Sequence, residues 1–197
     1  MPDYIKADKN VLVNKDCCWA NDGVSWDKAG QLITPLLKFY VVETPSPGLS
    51  ARSIPLIDYG WTQPWKKTQQ LNKKIKGAST NPDLYYSAAK LNKMQEVLEK
   101  AKLLDCPELR DNPFEAAAFL DCKKNQTLSL FYHLRNGFAH GRFCIFEFKR
   151  EYWFAIEDVT GPGKGNPIDN RRVSARIVLK YSTLRKWIKL IQDGPHD

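Results

Sequence analysis

No run of roughly 18 or more apolar residues occurs in this 197-residue chain, so no membrane-spanning helix is expected. CxxC spacings are absent too, and the cysteines are odd in number: Cys17, Cys18, Cys106, Cys122 and Cys144. A disulfide framework or a zinc knuckle is therefore not expected, and the cysteines read as reduced and mostly buried. The opening MPDYIKADKN lacks an apolar signal core, which predicts a cytosolic protein. Internal repeats are also missing. Nor is disorder expected, because the chain is 43% hydrophobic and 12% aromatic.

What is present is a moderate excess of base. Thirty Lys and Arg stand against 22 Asp and Glu, giving a net charge of +8. That balance favours an acidic partner such as nucleic acid. Between Lys66 and Lys76 five lysines occur with no acid. They read either as a solvated helix face or as a phosphate-steering patch.

The chain divides into segments of different period. Trp26 to Val42 reads as a helix kinked or broken at Pro35. Thr44 to Trp65 carries Pro45, Pro47, Pro55 and Pro64 with two glycines, and reads as a long loop. Asn81-Pro82 looks like a helix start, and Leu84, Ala88, Leu91, Met94, Leu98 and Ala101 then recur at spacings of three and four. This predicts one helix ending near Leu104. Asn112-Pro113 repeats the signal and predicts a helix over Phe114 to Lys123. Asn125 is the expected cap of a further helix that should stop at Gly141.

Beyond Gly141 the period falls to two. Cys144 to Phe148 and Tyr152 to Ile156 alternate about a turn at Lys149 to Glu151, which predicts a β-hairpin. Gly161 to Pro167 is glycine-rich but lacks the strand–turn–helix context of a phosphate loop, and reads as structural. Val173 to Lys180 reads as a third strand. Ser182 is the expected cap of a last helix with Leu184, Trp187, Ile188 and Ile191 inward.

The stretch HLRNGFAHGRF, His133 to Phe143, places an arginine among apolar residues. At about 100° per residue with Leu128 at zero, Arg135 falls near 340°, between Phe131 at about 300° and Ala139 at about 20°. Ser129, His133, Asn136 and His140 crowd into a polar seam at about 80° to 140°. A buried guanidinium cannot shed its proton, so it needs a carboxylate such as Glu115 or Asp121, or a groove that receives an anion. His140 either complements the helix dipole or transfers protons. Asn136, four residues before it, can orient its imidazole. His133 extends the seam as a solvent-facing residue.

Arg135-Asn136-Gly137-Phe138-Ala139-His140 resembles the R-x4–6-H signature of the HEPN superfamily, and His140-Gly141-Arg142 resembles its usual close. The hairpin and the segment ARIVLKYSTLRKWIKLI resemble a plasmid- and prophage-borne, toxin-like branch, so the similarity spans residues 80–193. The resemblance implies a mainly α (α+β) fold: a HEPN-like helical bundle, a small C-terminal hairpin or three-stranded sheet, and a final helix. The length of 197 residues predicts one domain, within which 1–78 reads as a helical and loop-rich extension that the resemblance does not cover and 79–193 as the HEPN-like core. The resemblance further implies a metal-independent endoribonuclease, a toxin or anti-phage effector, with Arg135, Asn136 and His140 catalytic and no cofactor. Its expected partners are RNA, a second copy in a homodimer with a composite active site, and a restraining antitoxin. His133, Arg142, Lys123 and Lys124 are further candidates for RNA contact on position and charge alone. Two other classes fit the same residues: a non-catalytic module binding RNA, a nucleotide or a protein, and a structural dimer with Arg135 in an interface ion pair.

On a straight helix Arg135 and His140 are about 140° apart. One helix does not easily aim both at one phosphate, whereas two copies about a twofold axis would; distortion at Gly137 is the competing route.

Overall fold

Among the described residues five strands hydrogen-bond into one mixed sheet in the order β1-β2-β5-β4-β3. The computed structural model describes residues 24–46, 48–81, 83–104, 112–123, 125–160 and 172–195. The strands are β1 Tyr85–Ala88, β2 Ala116–Leu120, β3 Phe143–Phe148, β4 Glu151–Thr160 and β5 Arg172–Lys180. The helices are α1 Trp26–Leu36, α2 Leu71–Gly77, α3 Met94–Lys100, α4 Gln126–Ala139 and α5 Tyr181–Asp193. Among the described residues only β1 and β2 pair in parallel, and α3 lies between them in the chain. Among the described residues no helix is long and apolar enough to cross a membrane.

This corrects the mainly helical HEPN-like bundle with a small sheet: the chain is α+β, built on a five-stranded mixed sheet. The error lies in two predicted helices. Tyr85 to Ala88 is a strand, and only Met94–Lys100 of the expected 84–104 helix is α-helical. Ala116–Leu120 reads AAAFL, a good helix sequence, yet it is an inner strand between β1 and β5. Pairing with β5 overrides its propensity, because four of its five residues are fully buried. The Leu84-to-Ala101 stripe is buried as expected except at Leu91, but through a strand, a 3-10 turn and a short helix. Asn81 caps no helix: its Oδ1 accepts from the Asp83 amide and its Nδ2 donates to the Glu115 carbonyl.

Locally specified features hold. Asn125 caps α4, its side chain accepting from the Leu128 amide at 2.9 Å. Gly141 takes φ +65°, and the Arg142 and Gly141 amides bond the Gly137 and Phe138 carbonyls. That pair of bonds is a Schellman stop. The hairpin turns through Lys149 and Arg150, both at positive φ, as a two-residue type I′ turn requires. The helix over Trp26 to Val42 does not break at Pro35 but passes into a π-helical turn over Leu37–Val42. The last helix begins two residues early, at Tyr181, so Ser182 lies inside it and Lys180 holds the cap position.

α4 lies on one sheet face within the larger apolar cluster, which also takes in residues of α1, α2 and α5; α3 covers the other face. The segment before β1 is stitched to α5 by buried aromatics. Tyr40 Oη donates to the Leu184 carbonyl, Trp61 Nε1 to that of Ile191, and Trp187 Nε1 to that of Ile75. Each such bond contributes about 1 kcal/mol while burying its ring. Gly137 lets α4 approach β4, since a Cβ there would collide with Ile156 Cγ2. α4 nevertheless runs unbroken through Gly137.

Candidate functional site

The helix that carries the motif is positioned by its two ends. Asn125 starts it and Gly141 stops it, so Arg135 and His140 fall in its last turn and at its cap. His140 is exposed, and among the described residues its side chain has no hydrogen-bond partner. Its backbone amide closes the helix on the Asn136 carbonyl.

Arg135 is half-buried and has no carboxylate partner among the described residues. Its Nη2 donates to the Leu49 carbonyl at 3.0 Å and its Nη1 to Asn136 Oδ1 at 3.1 Å. Nε is buried without an acceptor. The anticipated carboxylates are engaged elsewhere. Glu115 accepts from Ser79, Thr80 and the Lys180 amide, and Asp121 from Ser129. Leu49 belongs to the proline-rich loop, so that loop lies against the arginine.

The polar seam of α4 does not face solvent as a whole. Asp158 of β4 fills it. Its Oδ2 accepts from His133 Nδ1 at 2.7 Å and from Asn136 Nδ2 at 3.3 Å, and its Oδ1 accepts from the Val159 amide. Asn136 therefore joins Asp158 to Arg135 and does not orient His140. His133 is buried, which corrects its reading as a solvent-facing residue and removes it from the candidate RNA contacts. Its Nε2 meets the Leu120 carbonyl at 2.8 Å. Both ring nitrogens thus face acceptors, and both carry protons. Burial pushes the imidazole down, but the bonds to Asp158, Cys122 and Leu120 outweigh it and raise its pKa to about 9.

Arg142 is paired with Glu157, the residue before Asp158. Glu157 also holds the fully buried Arg176, with Nε to Oε2 at 3.1 Å. Lys123 is exposed and its ammonium lies 4.2 Å from the Tyr132 ring centroid. Lys124 lies outside the described residues, as do Cys17, Cys18, Cys106 and the Gly161 to Pro167 loop. Among the described residues no group of three or more His, Cys, Asp or Glu is placed to hold a metal ion.

The structure thus brings Arg135 and Asn136 together and leaves His140 apart from both side chains. Asp158, Cys122 and the Leu49 carbonyl were missed. The legible signal was the pair Glu157-Asp158 in the otherwise apolar strand YWFAIEDV: two adjacent acids in a buried strand must find partners on both faces. A groove of ≈ 550 Å³ at the opposite end of the sheet, between Phe114, Trp153, Lys149 and Lys180, touches none of the motif residues. No family model matches the chain, and comparison with curated proteins and solved structures returns no match.

Proposed function

We propose that the chain is a metal-independent endoribonuclease of toxin-like or anti-phage type, with Arg135 and His140 as the reacting pair. The observation that carries this reading is a half-buried guanidinium with no carboxylate partner among the described residues, on the same helix end as an exposed imidazole. RNA supplies its own nucleophile. The 2′-OH loses a proton, attacks the adjacent phosphorus and expels the 5′ oxygen, which takes up a proton. A histidine transfers protons near neutral pH. A guanidinium fork stabilises charge on the crowded phosphate. The products are a 2′,3′-cyclic phosphate and a 5′-OH end.

Asn136 acts as a positioning residue in this reading, anchored by Asp158 and fixing the Arg135 fork. Five residues along a straight helix separate Arg135 and His140 by about 140°, so a second copy across a twofold axis supplies the complementary histidine. The α+β fold lends the reading no support, since it is not a helical bundle; the reading rests on the residues themselves. A module that binds without cutting is favoured by one observation: both Nη groups of Arg135 already hold protein acceptors. Incubating RNA with the purified chain in chelator separates the two. Cleavage that is lost in His140→Ala supports the nuclease, and binding without cleavage supports the module.

A further inference from the structure

α2 and α5 lie side by side, fixed by the bond from Trp187 Nε1 to the Ile75 carbonyl at 2.9 Å. Their inner faces are spent in the core. Leu71 and Ile75 of α2 are buried, as are Leu184, Trp187, Ile188 and Ile191 of α5. What the pair turns outward is base. α2 carries Lys73, Lys74 and Lys76, and α5 carries Arg185, Lys186 and Lys189, while the one acid of the two helices is Asp193. Helices of 7 and 13 residues thus hold five of the chain's eight net positive charges.

Four of the six cations, Lys73, Arg185, Lys186 and Lys189, are exposed. Lys74 and Lys76 are half-buried, with their ammonium groups over the Trp61 and Tyr85 rings at 5.6 and 4.7 Å. Asp193 meets Lys189 at 2.7 Å, as an exposed i,i+4 pair that salt screens. Between the helices lies a groove of ≈ 320 Å³, lined by Lys74 from α2 and by Lys186, Lys189 and Asp193 from α5. Like charges this close repel: Lys73 and Lys74 are adjacent, and Arg185 and Lys189 share a side of α5. The two helices offer only Asp193 in return, so the array is relieved by an anion with repeating charges.

A nucleic-acid strand supplies one phosphate per nucleotide, and it releases condensed counterions when lysines take their place. A membrane surface fits less well. A helix lying on a bilayer sinks an apolar face into it, and the apolar faces of α2 and α5 are already buried.

We propose that the face formed by α2 and α5 binds the sugar–phosphate backbone of a nucleic-acid strand. Lys73, Lys186 and Lys189 take phosphates at its exposed rim and Lys74 takes one in the groove. Binding here makes and breaks no bond, so it stands apart from the nuclease reading.

The test titrates a short fluorescein-labelled thymidine oligonucleotide with the full chain and follows anisotropy as salt is raised. The probe lacks the 2′-OH, so its result is separate from that of any cleavage assay. About four phosphates held should give a slope of log affinity against log salt near roughly −3. Lys73→Ala/Lys186→Ala/Lys189→Ala, all at exposed positions, should flatten that slope by about 2 and weaken binding by about tenfold or more at about 50 mM salt. Lys90→Ala/Lys93→Ala/Lys100→Ala removes the same charge from exposed positions on and just before α3, and should leave the slope within about 0.5 of wild type. No binding at about 50 mM salt overturns the proposal. So does an equal loss in both triple variants, which would assign the attraction to net charge. Binding to phosphatidylserine vesicles without binding to the oligonucleotide would assign the face to a membrane and overturns it too. Should the first triple variant not fold by circular dichroism, Lys186→Ala alone decides, with an expected flattening of about 0.7.

Discussion

Glu157 and Asp158 are consecutive on β4, yet they anchor two different kinds of polar cluster on opposite faces of the sheet. Glu157 lies between Arg142 and Arg176. Asp158 lies between His133 and Asn136, and through Asn136 it reaches Arg135. The first cluster sets one carboxylate between two guanidiniums, and Arg176 has no exposed surface. It behaves as a fixed brace between β4, β5 and the carbonyls that follow α3. The second holds a titratable imidazole and opens to solvent at two ends, Cys122 and Arg135. The difference teaches where chemistry can sit. A closed ion pair gives specificity of packing, whereas a buried pair with surface outlets couples the interior to what arrives outside.

Breaking the brace should cost most. Glu157→Gln strands the Arg176 guanidinium in the interior, and a loss of about 3–5 kcal/mol is expected, read as a lower urea midpoint with unchanged slope. A loss under 1 kcal/mol would show that the brace is no stronger than a surface pair.

The Asp158 cluster should instead show a pH signature. His133 titrates at about 9 in the folded chain, above its ordinary 6.5. Its contribution is complete below pH 6.5 and drains away as pH rises through 9, by on the order of 2–3 kcal/mol. Urea midpoints measured from pH 6 to 10 should fall across that window, and Asp158→Asn should lower the neutral value and flatten the fall. An unaltered slope in Asp158→Asn would break the comparison.

The smallest effect belongs to the start of α4. Asn125→Ala removes the acceptor for the Leu128 amide and should cost about 1 kcal/mol. Because α4 carries both Asn136 and His133, this variant sharpens the comparison: stability should fall while the alkaline slope persists.

What could be read from the chain follows from how local its causes are. Asn125, Gly141, the Lys149-Arg150 turn and the stripe of α5 act within a few residues of themselves, and each stands where its pattern placed it. β1 and β2 were not legible as strands. Ala116–Leu120 has helical propensity, and pairing with β1 and with Ala175 to Val178, about 60 residues on, makes it extended. The site divides the same way. His140 at the helix end was legible from the Gly141 stop. The Leu49 carbonyl under Arg135 comes from a loop 86 residues away and is a backbone atom, so no side-chain pattern could announce it. His133 was misplaced because its partner Asp158 lies 25 residues on.

The central claim is that Arg135 and His140 together cut RNA without a metal. The most direct measurement incubates RNA with wild-type chain and with folded His140→Ala and Arg135→Ala in chelator, and identifies the new ends. The account predicts 2′,3′-cyclic phosphate and 5′-OH ends from wild type, and rates lower by about 100-fold or more in each variant. Intact RNA with wild type, or equal cleavage by His140→Ala, would contradict it.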